Sequence, residues 1–203
     1  EVKEPDWDKL PALTGRSAAE APSYISLMYR WYGLATGDRV PIKAHYSMVK
    51  HAVLQQKISD DGRLPFSGDE TYRTAMSFAF GLSLSHKFID CCDSANSAFL
   101  FVAAAEALAK EADILNKLDD AKLLREKADV VRKATEKSYW QKDGFYAAYL
   151  DRANPLLLPP PYEDVATKAL WAGYLPPKDP QALRQVGVLV ERLGQADGLW
   201  QSK

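Results

Sequence analysis

Between Asp93 and Glu106 the chain carries no charged residue, and Ala95, Ala98, Phe99, Leu100, Phe101, Val102, Ala103, Ala104 and Ala105 leave no polar face at helical spacing. A helix that is apolar all round must be covered all round. The stretch falls short of the roughly 20 apolar residues that a bilayer crossing takes, so it predicts a buried central helix over 93–115. Asp93 and Ser94 are the residues placed to cap its first turn. The next segment, 119–140, has a different pattern. Ala121, Leu124, Ala128, Val131, Ala134 and Tyr139 share one face, and Lys122, Arg125, Glu126, Asp129, Arg132, Lys133 and Glu136 fill the rest. This predicts an amphipathic outer helix. A short connection over 116–118 makes the two helices antiparallel neighbours.

The same grammar occurs twice more. Helical patterns over 17–34 and 39–58 are separated by Ala35-Thr36-Gly37-Asp38, in which Gly37 suits a helix stop and Asp38 a following cap. Patterns over 162–174 and 179–195 are split by Leu175-Pro176-Pro177-Lys178. The chain therefore predicts an all-α fold of three antiparallel helical hairpins. Turn-rich residues 62–69, a strand-like alternation over 144–151 and a proline-rich segment over 156–161 lie between them. Hairpins that start near residues 17, 93 and 162 are too far apart for a solenoid of about 34 to 47 residues per repeat. They fit a closed ring of inner and outer helices whose long loops gather at one rim.

Charge and cysteines narrow the function. With 26 basic against 27 acidic side chains, the chain lacks the basic field that binds nucleic acid. Cys91 and Cys92 are adjacent and cannot staple distant loops. His45, His51 and His86 lack the spacing that sets two metal ligands on one helix face, so neither a metal nor a cofactor is expected. The chain opens on Glu1 with no basic-then-apolar leader.

The most informative loop is Leu64-Pro65-Phe66-Ser67-Gly68-Asp69-Glu70-Thr71-Tyr72. Glycosidic cleavage needs a protonated carboxyl at the leaving oxygen and a second carboxylate elsewhere around the sugar. Asp69 and Glu70 are adjacent and diverge, so they cannot both flank one bond. They also read as the cap and first-turn acid of a helix. Phe66 and Tyr72 flank the pair, and apolar burial beside a carboxyl raises its pKa. Trp31, Trp171 and Trp200 offer flat faces to sugar rings, although most tryptophans are instead partly buried core or rim residues. Asp93 and Glu163 read most simply as helix caps, with a place at the rim of the cleft as the alternative. For an alternative chemistry on a uronate, a base and a charge neutraliser are needed, and Arg63, Arg73 and His86 are the residues present.

Gly68-Asp69-Glu70-Thr71-Tyr72, followed by Asp93-Ser94-Ala95-Asn96-Ser97-Ala98-Phe99, resembles the six-hairpin (α/α)6 glycosidases, glucoamylase-like and especially the maltose and kojibiose phosphorylase branch with its Gly-Pro-Asp-Glu-Tyr type of motif. Here the proline is missing and Thr71 separates Glu70 from Tyr72. Tyr139-Trp140 with Asp143-Gly144-Phe145-Tyr146, the 163–171 helix and Gly198-Leu199-Trp200 are similar to the same superfamily over roughly residues 15–200. The resemblance implies a single catalytic segment over 1–203 of an (α/α)6 toroid. It implies an inverting glycoside hydrolase with Glu70 as proton donor and Asp69 as its support. Phe66, Tyr72, Asp93, Glu163, Trp171 and Trp200 are expected to bind a carbohydrate substrate. Three hairpins make half of a six-hairpin ring, so a second polypeptide or a C-terminal segment is expected to complete it, and the chain alone to be inactive. Neither nucleic acid nor a membrane is an expected partner. The competing functions are a non-catalytic helical module that binds carbohydrate or protein, and a polysaccharide lyase or epimerase on a helical toroid.

Overall fold

The computed structural model describes residues 5–7, 20–64, 92–151, 163–195 and 198–199. Within them the protein is all-α, built from six helices in three antiparallel hairpins, with two short two-stranded pairings. The first hairpin joins α1 (Ala21–Thr36) to α2 (Val40–Leu54). Gly37, at φ 68°, ends α1 in the left-handed conformation and donates its N–H to the Gly33 carbonyl at 3.1 Å. Asp38 then accepts from the Val40 N–H at 2.9 Å, which meets one of the free donors at the start of α2.

The second hairpin follows a short strand, β1 (Cys92–Ser94), and consists of α3 (Ala95–Ile114) and α4 (Leu118–Tyr139). Ser94 is the cap of α3, its hydroxyl accepting from the Ser97 N–H at 3.3 Å. Asp93 lies one residue outside the helix. The hairpin turns through Asn116, at φ 57°, one of the few side chains that tolerate that conformation. Asp119 and Asp120 stand in the first turn of α4 and Lys137 in its last, each sign matching the helix dipole. The third hairpin is α5 (Glu163–Trp171) and α6 (Pro180–Leu193), with Asp179 capping α6 by accepting from the Gln181 N–H at 2.8 Å. A strand β2 (Tyr149–Asp151) returns antiparallel to β1, pairing Cys92 with Asp151, Asp93 with Leu150 and Ser94 with Tyr149. The pair β3 (Gly194–Gln195) and β4 (Gly198–Leu199) follows α6.

Helix α3 is the centre. It packs on α4, α1, α5 and α2, and every residue from Ala95 to Ala105 is buried. Its alanines let the neighbouring helices approach closely, and Phe99, Leu100, Phe101 and Leu108 fill the spaces between them. The contacts also give direction. The Ser26 hydroxyl donates to the Ala104 carbonyl at 2.9 Å, and Arg30 pairs with Glu111 further along, so α1 runs parallel to α3. On the other side Arg132 meets Glu106 at 2.9 Å and Arg125 meets Asp113, so α4 runs antiparallel to α3. Helix α5 follows the direction of α1, with Lys168 bound to Glu20 at 2.7 Å and Trp171 against Tyr24 and Trp31. Three parallel helices, α1, α3 and α5, are thus each followed by a returning partner.

Two buried polar clusters tie the layers together. Glu111 has no exposed surface and is held by Arg30 and, at 2.7 Å, by Arg39, which joins the α1–α2 turn to the far half of α3. Glu136 accepts from the Tyr146 hydroxyl at 2.8 Å, the Tyr174 hydroxyl at 2.5 Å and the Gln181 amide at 3.0 Å. Burial first, then the Glu136 hydrogen bond, pushes both phenols far above the ordinary tyrosine range, so they remain donors at any physiological pH. No helix among the described residues is long and apolar enough to cross a membrane.

Candidate functional site

The site begins with the tight turn Ser59-Asp60-Asp61-Gly62-Arg63. Its backbone closes through the Ser59 N–H to the Arg63 carbonyl and the Gly62 N–H to the Ser59 carbonyl, both at 2.8 Å. Gly62 is required at φ 84°, and any Cβ there would stand 2.9 Å from the Ala134 Cβ and 3.1 Å from the Val130 carbonyl oxygen. The turn therefore rides directly on α4. Its next residue, Leu64, accepts a hydrogen bond from the Ser94 N–H at 3.4 Å, and this brings the loop to the N-terminal end of α3.

Arg63 links this turn to the buried helix. Its Nε donates to Asp61 Oδ2 at 2.8 Å, its Nη2 stands 2.6 Å from the same oxygen, and its Nη1 stands 3.1 Å from Asp93 Oδ2. Asp61 is further held by the Ser59 hydroxyl, 2.6 Å from Oδ1, and by the Arg63 N–H. The Arg63 hydrogen bond, and then that of Ser59, holds the Asp61 carboxyl well below the usual carboxylate range. Burial alone would lower the Arg63 pKa, but the Asp61 hydrogen bond and the Asp93 charge outweigh it and raise it. Asp93 itself has no exposed surface. Through Arg63 it acts as a positioning anion.

A pocket of about 320 Å³ opens beside this pair, lined by Asp61, Arg63, Ala134, Lys137, Ser138 and Leu150. It is of the size of small-molecule sites, about 300–1,000 Å³. Its walls come from the 59–63 turn, the last turns of α4 and the β2 strand, which pairs Leu150 with Asp93.

Sequence reasoning named Asp93 among the site residues and expected it to cap α3. The cap is Ser94, and Asp93, one position earlier, is turned to Arg63 by the extended backbone of β1. Trp171 is half exposed and meets Trp31 edge-to-face at 5.0 Å. Because Ser26 and Arg30 lie beside Ala104 and Glu111, the part of α1 that Trp171 touches runs along the second half of α3. Asp93 is some 15 Å or more away at 1.5 Å per residue, so Asp93 and Trp171 are not brought together. Glu163 belongs to the first turn of α5, but its side chain lies outside the described residues, as do Phe66, Asp69, Glu70, Tyr72 and Trp200. Asp61, Lys137 and Ser138 were not singled out. The turn character was legible from Gly62 onward, but Lys137 and Ser138 look like ordinary residues of a wet helix face until the turn packs over them.

A search of protein-family models and of curated protein sequences finds no match to this chain.

Proposed function

We propose that this chain belongs to a glycoside hydrolase of the helical-hairpin type, with Glu70 donating the proton to the leaving oxygen and Asp69 supporting it. The observation that carries the proposal is the junction of Arg63, Leu64, Asp93 and Ser94. Leu64, six residues before Glu70 in sequence, stands at the N-terminal end of the most buried of three parallel helices. That end is where a ring of inner helices would hold a sugar, and Arg63 fixed between two carboxylates makes the 59–64 turn a rigid base. Rigid bases favour catalysis because the acid must stay within hydrogen-bonding reach of one oxygen. The test is release of aglycone or new reducing ends by the intact protein on a panel of aryl glycosides and oligosaccharides. Turnover on at least one member is the expected outcome, and none on any contradicts the proposal.

A second reading has its own observation. Trp31 and Trp171 form an exposed edge-to-face pair with Tyr24 beside it, away from Asp93. Such a pair is a surface on which a sugar ring could stack without being cleaved. A non-catalytic carbohydrate module predicts oligosaccharide binding that Trp171→Ala removes, with no bond cleaved.

A further inference from the structure

The pocket beside Arg63 has a chemical bias that follows from which of its groups are already engaged. Its carboxylate is saturated: Asp61 takes the Ser59 hydroxyl, the Arg63 N–H and two nitrogens of the Arg63 guanidinium. Its donors are not. A guanidinium has five N–H groups, and the contacts of Nε and Nη2 with Asp61 and of Nη1 with Asp93 engage three. Lys137 makes no ion pair or hydrogen bond with any described residue, and neither does the Ser138 hydroxyl. Ala134 and Leu150 supply an apolar wall.

We propose that this pocket binds a small oxyanion, a carboxylate or phosphate group carried on a molecule of about sugar size, with Lys137, Ser138 and the free edge of Arg63 as its donors. A neutral polyol would draw nothing from the Lys137 and Arg63 charges beyond ordinary hydrogen bonds, and Asp61, the carboxylate among the described lining residues, is already occupied. An oxyanion needs donors only, and charge-assisted donors are the strong ones. Arg63 is suited to the task because Asp61 and Asp93 hold its plane in place before the ligand arrives, so little rotamer freedom is lost on binding. The proposal does not depend on glycoside hydrolysis, since every residue it uses lies outside 65–72.

Titration calorimetry on the intact protein with D-glucuronate, inorganic phosphate and D-glucose tests it. Saturable binding of glucuronate or phosphate, weakened by added salt and at least about tenfold tighter than that of glucose, is the expected result. Glucuronate alone would assign a carboxylate ligand, phosphate alone a phosphorylated one. Lys137→Met, at an exposed position, should leave the fold intact and weaken the oxyanion by about tenfold or more, the size of one charge-assisted hydrogen bond. Ser138→Ala should weaken it less. Binding of glucose equal to that of glucuronate and phosphate, absence of saturable binding by both oxyanions, or an unchanged affinity in Lys137→Met would overturn the proposal.

Discussion

Single carboxylates show how position decides role in this protein. Glu111, fully buried between Arg30 and Arg39, has lost all its water and gained two guanidinium partners. Removing one member of such a cluster leaves the others uncompensated. Glu111→Ala is expected to destabilise the fold by about 3 kcal/mol, toward the low end of the usual range because Arg39 can swing into solvent, and urea unfolding measures it. Asp61 is half exposed, so its pair with Arg63 is screened and adds less. Its sign is still defined. The folded-state pKa lies below the ordinary value of 3.8, so its contribution is complete above that pH and fades as the pH falls further. Asp61→Asn should therefore lower stability at neutral pH and flatten the loss of stability below about pH 4, as acid titration of the unfolding midpoint would show.

At the scale of elements, the uncharged run that ends at Glu106 is the strongest determinant, because a helix with no wet face can only be central. Phe99 illustrates it: wholly buried, it meets Tyr146 at 5.0 Å and Tyr174 at 4.6 Å between ring centroids. Phe99→Ala should cost about 3–5 kcal/mol, since neither α4 nor the 174–175 turn can collapse into the cavity, and a calorimetric fall in Tm checks it. The pairing of α3 with α4, the Gly37 stop and the start of α6 after Asp179 were legible from periodicity and capping residues. The ends were less so. Helix α2 stops at Leu54 rather than continuing to residue 58, because the chain must turn at Ser59 to lay Gly62 on α4, a tertiary demand that local pattern does not carry. The same limit applies to the site. Asp93 was recognisable as important, but its partner Arg63 lies 30 positions away and no spacing rule links them.

For the molecule as a whole, among the described residues α1 is the element whose surface is least explained by its neighbours. Met28 and Leu34 are about 60% exposed, and Ile25, Trp31 and Tyr32 more than 40%. Apolar surface gathered on one helix usually marks an interface. A second polypeptide segment packed on this face, the partner expected for a half-ring, would cover it. Light scattering on residues 1–203 alone should then show self-association or aggregation, relieved when the completing segment is supplied. A folded, active monomer would contradict that picture of the assembly.

The central claim, that a carboxyl group on the 65–72 loop cleaves a glycosidic bond, is tested most directly by one comparison. Turnover of the intact protein on its best glycoside with a poor leaving group is measured before and after Glu70→Gln, with circular dichroism confirming that both proteins are folded. The account predicts a loss of about 100-fold or more, the contribution of a positioned proton donor, and a smaller loss for Asp69→Asn. Wild-type turnover in a folded Glu70→Gln protein would contradict it.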